Sequence, residues 1–477
     1  MAHLHLGALY EELQETDSMS LAHEEYQQAI IVFPYSSKIN LRVSKLIRES
    51  ATSQEELNSI ETHLRAAIEA ADILIEAQKE QRLSMIGIGK SLESVDDGKW
   101  VFEPSCYEEI EAGKEASQFL LLFLCQEGRD NDAEPILKQL GYSWRLSPHA
   151  LHYNPHPVRG PWKNDVDYVR VWDDALPPEM LAHLQSTFGI NSVFWKEHHY
   201  SPLSPYFSYV HALSPSPGQQ ATYLDTIIHQ LHALATELYP EAAKAKYAEW
   251  WAHCRPHSHG HQLHFDSDDE GRRREGGKPR HPIVSSVCYL TEGIGGPTLV
   301  TNQRLGDPLA DKAWLAFPKL NRYTVFDGSV LHGVIPGRSF RTNPDERRIT
   351  FMVAFWESVE VIPSKEEIPG SARPFPDLGR TKYTWPMLHQ LKSKGKSAKP
   401  GHPEPKIAIP TPIESVWEQV STRHSVPVKI VEEDFSEPNS YDDNESKDEN
   451  GGRDSVSGVY QKVDAPLPRY NQCFQGF

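Results

Sequence analysis

His264-Phe265-Asp266, followed far downstream by Thr324-Val325-Phe326-Asp327-Gly328-Ser329-Val330-Leu331-His332-Gly333-Val334 and then by Arg348-Ile349-Thr350, is the part of the chain whose reading decides the fold. Side chains two apart on a strand share a face, so a strand through 264–266 sets one imidazole beside one carboxylate, roughly 7 Å apart at the Cα atoms. The downstream run is β-branched and aromatic, breaks at a turn signal and resumes around His332, which predicts a strand, a tight turn and a second strand. A histidine from that distant strand completes two imidazoles and one carboxylate, a facial set that leaves three cis positions open and suits non-haem Fe(II). His264, Asp266 and His332 are therefore the candidate metal ligands and the candidate catalytic centre. The competing reading is a histidine-rich tract, because His253, Cys254, His257, His259 and His261 crowd the same segment. Such a tract binds zinc or is simply solvated, but closed zinc sites favour paired Cys or His spacings and the chain has no Cys-x-x-Cys.

The next stretch, Val284-Ser285-Ser286-Val287-Cys288-Tyr289-Leu290-Thr291-Glu292-Gly293-Ile294-Gly295-Gly296-Pro297-Thr298-Leu299-Val300, reads as a strand, a Gly-rich turn and another strand. With it, the run 250–356 resembles the double-stranded β-helix core of the 2-oxoglutarate and Fe(II)-dependent dioxygenases, particularly the prolyl 4-hydroxylase-like branch. The resemblance is carried by His264-x-Asp266, by Tyr289-Leu290 before the Gly295-Gly296-x-Thr298 turn, by His332-Gly333-Val334, and by Arg348-x-Thr350 opening a last apolar strand.

The resemblance implies a jelly-roll catalytic domain, Fe(II) on the three ligands, 2-oxoglutarate as co-substrate and ascorbate as an optional auxiliary. Arg348 would meet the distal carboxylate of the co-substrate in a two-point fork, which a planar guanidinium in a nearly dry pocket does well. Thr350 lies on the same strand face and can add a hydroxyl, while Arg347 points the other way. The alternative for Arg348 is a surface salt bridge of little energetic weight. By resemblance Tyr289 also reaches the co-substrate; its alternative is ordinary core. The activity implied is hydroxylation of a C–H bond coupled to oxidative decarboxylation of 2-oxoglutarate to succinate.

The chain departs from the family in three places. Collagen-type prolyl hydroxylases carry lysine where Arg348 stands. Cys254 and His261 fall near positions where the family has tyrosines. The gap between His332 and Arg348 is long, filled by a polar, turn-rich insertion at 336–346, which makes Arg341 and Arg347 competitors for the co-substrate role.

With 477 residues and 39% hydrophobic content the chain can bury more than one core. A formal charge of −18 argues against unspecific nucleic-acid binding. Five scattered cysteines fit a reducing compartment, and no long apolar run or secretory segment is visible, so the expectation is a cytoplasmic protein without a membrane partner. The fold class expected is α+β multidomain: a helical 1–146, a linker at 147–162, the β-helix domain at 163–362, an irregular extension at 363–392 and a largely disordered charged tail at 393–477, with a short docking segment near 413–420. In the first part, Gly7, Tyr10, Ala22, Tyr26, Ala29 and Pro34 resemble one tetratricopeptide repeat, while 54–81 is a long amphipathic stretch and 119–142 a second hairpin. A generic helical domain is the alternative to a peptide-binding array, since a solenoid needs about three repeats. The match begins almost at Met1, which suggests that sequence lies upstream. Pro-rich 144–162 reads as extended; 166–172 as a strand; 174–188 and 219–238 as helices outside the sheet. The glycine- and charge-rich 267–278 is either a lid or a solvated loop. A protein side chain such as proline is one substrate class; a small metabolite or nucleobase, or a catalytically silent helical scaffold, are the alternatives.

Overall fold

The computed structural model describes residues 2–13, 18–87, 104–154, 168–198, 208–214, 222–268, 280–341, 343, 345–361, 372–376, 381–390, 404–413, 415–420 and 473–474. Its centre is eight strands: β1 (Tyr247–Pro256), β2 (His261–His264), β3 (Val284–Tyr289), β4 (Thr298–Arg304), β5 (Ala313–Ala316), β6 (Tyr323–Asp327), β7 (Val330–Val334) and β8 (Arg347–Trp356). They form two antiparallel sheets, β1-β8-β3-β6 and β5-β4-β7-β2, each lengthened by further strands. Successive strands switch sheets except from β4 to β5, which is the winding of a jelly roll.

Three apolar layers explain why β8 from Phe351 to Trp356 reads as a continuous hydrophobic run rather than an alternating one. Between the sheets, Val287, Tyr289, Val300, Trp314, Phe326, Val330 and Met352 form a small core. The outer face of the large sheet, with Trp250, Cys288, Phe351, Val353 and Phe355, packs on helices Pro178–Phe188 and Tyr223–Leu238. The outer face of the small sheet, with Leu299, Ala313 and Leu315, packs into the core of the helical N-terminal region. A strand covered on both sides has no solvent face to keep polar.

That region contains α1 (Ala2–Leu13), α2 (Ser18–Val32), α3 (Ser37–Ser50), α4 (Gln54–Gly87), α5 (Pro104–Gln126) and α6 (Asp130–Gln139). Gly7 of α1 lies so close to Tyr26 of α2 that a Cβ would sit 2.4 Å from the ring, and only a glycine permits that approach. Among the described residues no helix is long and apolar enough to cross a membrane, and all five cysteines are free thiols.

Three sequence expectations need correction. The described part of 144–162 is not an extended linker: Trp144–Leu146 is a strand paired with Trp417–Gln419, and the turn of helix Pro148–Leu151 buries Ala150 and Leu151. The irregular extension contributes strand Ala372–Pro374 and Trp385, a fully buried core residue. In the tail, Lys406–Ala408 adds to the large sheet, Thr411–Ile413 pairs with β5, and Phe474 is fully buried in the helical region's core. Two physical reasons act: sheet edges offer unpaired backbone groups to which 372–374, 406–408 and 411–413 add, and single large apolar side chains such as Trp385 and Phe474 anchor short segments in existing cores. The candidate lid lies mostly outside the described residues.

Phe474→Ala is expected to cost roughly 3–5 kcal/mol, as for a large aromatic deleted from a core, read as a fall in the urea midpoint at unchanged slope. An unchanged midpoint would mean that this end of the chain is not docked.

Candidate metal centre

Strand pairing makes the centre. β2 runs antiparallel to β7 with His264 directly across from His332, and their rings lie 4.3 Å apart. Asp266 follows just past the end of β2 instead of on it, contrary to the expected continuous strand. It is held there by side chains: the Ser285 hydroxyl donates to its Oδ2 at 2.6 Å, and its carbonyl accepts from His281 Nδ1 at 2.7 Å. One ligand atom from each of His264, Asp266 and His332 lies within 4.8 Å of the others. The closest approaches are 3.4 Å from His264 Nε2 to Asp266 Oδ1 and 3.7 Å from His332 Nε2 to Asp266 Oδ2. Cis donors on an octahedral ion at ~2.1 Å stand roughly 3 Å apart, so a small inward movement brings the set onto one ion.

The donor set also fits chemically. His264 Nδ1 donates to the Gln262 carbonyl at 2.9 Å and His332 Nδ1 to the Val330 carbonyl at 3.0 Å. Each bond leaves Nε2 as the lone-pair atom aimed at the cluster, the orientation metal-bound histidines usually adopt. Burial and the neighbouring His264 pull the His332 pKa down to about 4, so its ring is neutral near pH 7. Burial alone would raise the Asp266 pKa; positive charge on His332 or His264 and the Ser285 hydroxyl act the other way and hold the carboxyl well below its usual range.

Deeper between the sheets, the cross-strand rows His253–Thr350–Tyr289 and Arg255–Arg348 place these side chains on the inner face of the large sheet. Arg348 is buried, its guanidinium lies 5.9 Å from the centre of the Tyr289 ring, and its Nε has no hydrogen-bond partner among the described residues. The Thr350 hydroxyl is likewise buried and unpartnered there. The groups acting most strongly on Arg348 are Tyr289, Arg255 and Tyr153, none a carboxylate, and burial lowers its pKa. Two buried orphan donors on one strand face cost about 1–3 kcal/mol each unless an outside acceptor arrives.

Tyr289 spends its hydroxyl on Thr298 Oγ1 (2.6 Å) and the Ala316 carbonyl (3.2 Å), so its described contact with this pocket is the ring beneath Arg348. Of the competing cations, Arg341 is bound to Glu346 at 2.6 Å, and Arg347, one residue from Arg348, faces out toward Glu49. Sequence reasoning missed Ser285 and His253. Ser285 shares its strand face with Val287 and Tyr289, so a two-residue count back from Tyr289 could have found it. The rings of His253, His261, His264 and His332 follow one another at 5.6, 4.7 and 4.3 Å, so part of the histidine-rich tract lines this cavity.

No family model matches the chain, and no curated protein does. Solved structures that resemble it include a Pseudomonas putida prolyl-4-hydroxylase (17% identity, 40% of this chain and 90% of that one, TM-score 0.27). Others are EctD from S. alaskensis in its apo form (18%, 49% and 91%, 0.27) and an oxidoreductase of the 2OG-Fe(II) oxygenase family from Burkholderia pseudomallei (14%, 48% and 90%, 0.23). TM-scores this low lend nothing to the assignment of a reaction, which rests on the side chains themselves.

His332→Ala is expected to weaken Mn(II) binding by about a hundredfold or more, and Ser285→Ala, which removes only the outer support of Asp266, by about tenfold. Titration calorimetry with Mn(II) measures both; equal affinities in all three proteins would remove the metal centre from consideration.

Proposed function

We propose that the chain is an Fe(II)- and 2-oxoglutarate-dependent oxygenase that hydroxylates a C–H bond. The observation that carries the reading is the pairing of two features between the sheets: a two-His, one-Asp cluster, and a buried arginine with no carboxylate beside it among the described residues. Two histidines and a carboxylate also suit a catalytic zinc ion. A hydrolytic zinc site, however, gives no reason to bury Arg348 and Thr350 with donors that find no partner among the described residues.

Each residue then has a physical role. His264 and His332 offer neutral Nε2 atoms because their Nδ1–H groups are committed to backbone carbonyls. Asp266 supplies negative charge, steadied by Ser285. Arg348 and Thr350 receive the distal carboxylate of the co-substrate, a charge-assisted contact in surroundings that exclude water and so strengthen it. Phe326, 4.7 Å from the His332 ring, and Trp314 keep the wall beside the ligands apolar. When bound, the iron and co-substrate supply the oxidising chemistry, and the protein supplies orientation and exclusion of side reactions. A protein side chain, proline among them, is the first substrate class to try, with small metabolites and nucleobases after it.

With Fe(II) and 2-oxoglutarate, the purified protein is expected to form succinate, slowly without substrate and faster with a substrate found by a mass-shift screen. Arg348→Met should raise the KM for 2-oxoglutarate by about tenfold or more, because a buried charge-assisted pair is worth roughly 1.5–3 kcal/mol. Iron-independent activity, or an unchanged KM in Arg348→Met, would contradict the reading.

A further inference from the structure

The long insertion after β7 is tied to the helical region from one side and to the flank of Arg348 from the other. Arg48 of α3 is buried and donates to the carbonyls of Gly337 (2.6 Å) and Ser339 (3.2 Å). Gln126, at the end of α5, and the Tyr153 hydroxyl both donate to the Pro336 carbonyl, at 3.0 and 3.2 Å. Arg338 reciprocates: its N–H donates to the Tyr153 hydroxyl at 3.1 Å and its guanidinium to the carbonyls of Gln126 (2.9 Å) and Tyr153.

From Arg338 the chain of bonds turns inward. Its carbonyl accepts from His257 Nε2 at 2.9 Å, which fixes the tautomer and leaves Nδ1 to accept the Gly295 N–H, also at 2.9 Å. Gly295 sits at φ +80°, and a Cβ there would be 2.5 Å from Arg348 Cδ. The backbone of Gly295 is thus one wall of the slot that holds the Arg348 side chain, and the Tyr289 ring lies across the guanidinium. Because Arg348 Nε makes no hydrogen bond among the described residues, packing rather than a bond at that atom sets the direction of the guanidinium. Burial draws the His257 pKa down to about 4, which keeps Nδ1 able to accept near neutrality.

We propose that His257 is a positioning residue for Arg348, and that through it the segment 336–339 transmits the docking of the helical region into the affinity for the co-substrate carboxylate. This rests on the oxygenase reading. Without the imidazole, the Gly295 N–H loses its acceptor and the 293–296 turn keeps, among the described residues, only its ties at Gly293, to the Pro318 carbonyl and Arg341, so the wall against Arg348 moves. Arg48, well outside the barrel, acts on the same slot through two more links.

The test is calorimetric titration of 2-oxoglutarate into the full chain loaded with Mn(II), for wild type, His257→Ala, His257→Gln and Arg48→Met. Expected is a loss of about tenfold or more in 2-oxoglutarate affinity for His257→Ala, the size usual for removal of an outer supporting contact. His257→Gln, which keeps an acceptor and a donor, should recover most of it, and Arg48→Met should weaken binding in the same direction. Mn(II) affinity without 2-oxoglutarate should stay at the wild-type value in all of them, which separates loss of positioning from general damage. Wild-type 2-oxoglutarate affinity in folded His257→Ala or Arg48→Met overturns the inference alone, as does an equal loss of Mn(II) and 2-oxoglutarate binding. Failure of the wild type itself to bind 2-oxoglutarate overturns the oxygenase reading and the inference together.

Discussion

The register of β2 against β7, with His264 opposite His332, is the constraint from which the rest follows. Side chains alternate faces along a strand, so a slip of one residue would turn one imidazole out of the cavity and leave an isolated His-x-Asp. What holds the register is burial on both sides of the small sheet. His332 and Val300 face inward across from Trp314, while Leu299 and Leu315 lock into the helical region behind. The helical region is in this sense part of the barrel's wall, not an appendage beside it.

A cavity that holds a carboxylate, four imidazoles and two guanidiniums between apolar layers is costly to desolvate, and the protein settles that cost unevenly. Near the metal cluster nearly every polar atom has a protein partner: Nδ1 of each candidate ligand histidine bonds a carbonyl, and Asp266 bonds Ser285. At the far end Arg348 Nε and the Thr350 hydroxyl have no partner among the described residues. Each unsatisfied buried donor calls for an explanation, and at these two the proposed reading supplies one, an acceptor from outside. The contrast between the two ends gives the cavity a direction, with the donor set of a metal at one end and unused donors at the other, which is what the proposed co-substrate would require.

Much of this was legible in the sequence because the decisive residues sit on strands, where period two fixes facing. Arg348 and Thr350 sharing a face follows from alternation, and the strands of His332 and of Val284–Tyr289 follow from β-branched and aromatic runs bounded by turn signals. Helices 174–188 and 219–238 were readable from their first-turn proline and apolar periodicity, and the structure gives Pro178–Phe188 and Tyr223–Leu238. What was not legible depends on contacts far apart in the chain. Composition marks 393–477 as unable to fold alone, yet two of its short segments find sheet edges, a third pairs with Trp144–Leu146 and Phe474 finds a core, and nothing local announces that. The 336–346 insertion read as a polar loop because its many backbone bonds come from Arg48, Gln126 and Tyr153, some two hundred or more residues earlier. Asp266 leaves the strand because Ser285 and His281 anchor it, again from a different part of the chain.

The most direct test is a crystal structure of the full chain with Mn(II) and 2-oxoglutarate, read by anomalous scattering at the manganese edge. The account predicts one strong anomalous peak at coordination distance, ~2.0–2.3 Å, from His264 Nε2, the Asp266 carboxylate and His332 Nε2. It also predicts the far carboxylate of the co-substrate against Arg348 and Thr350. Manganese centred on His253 and His261 instead, or a co-substrate carboxylate lying away from Arg348, would contradict it.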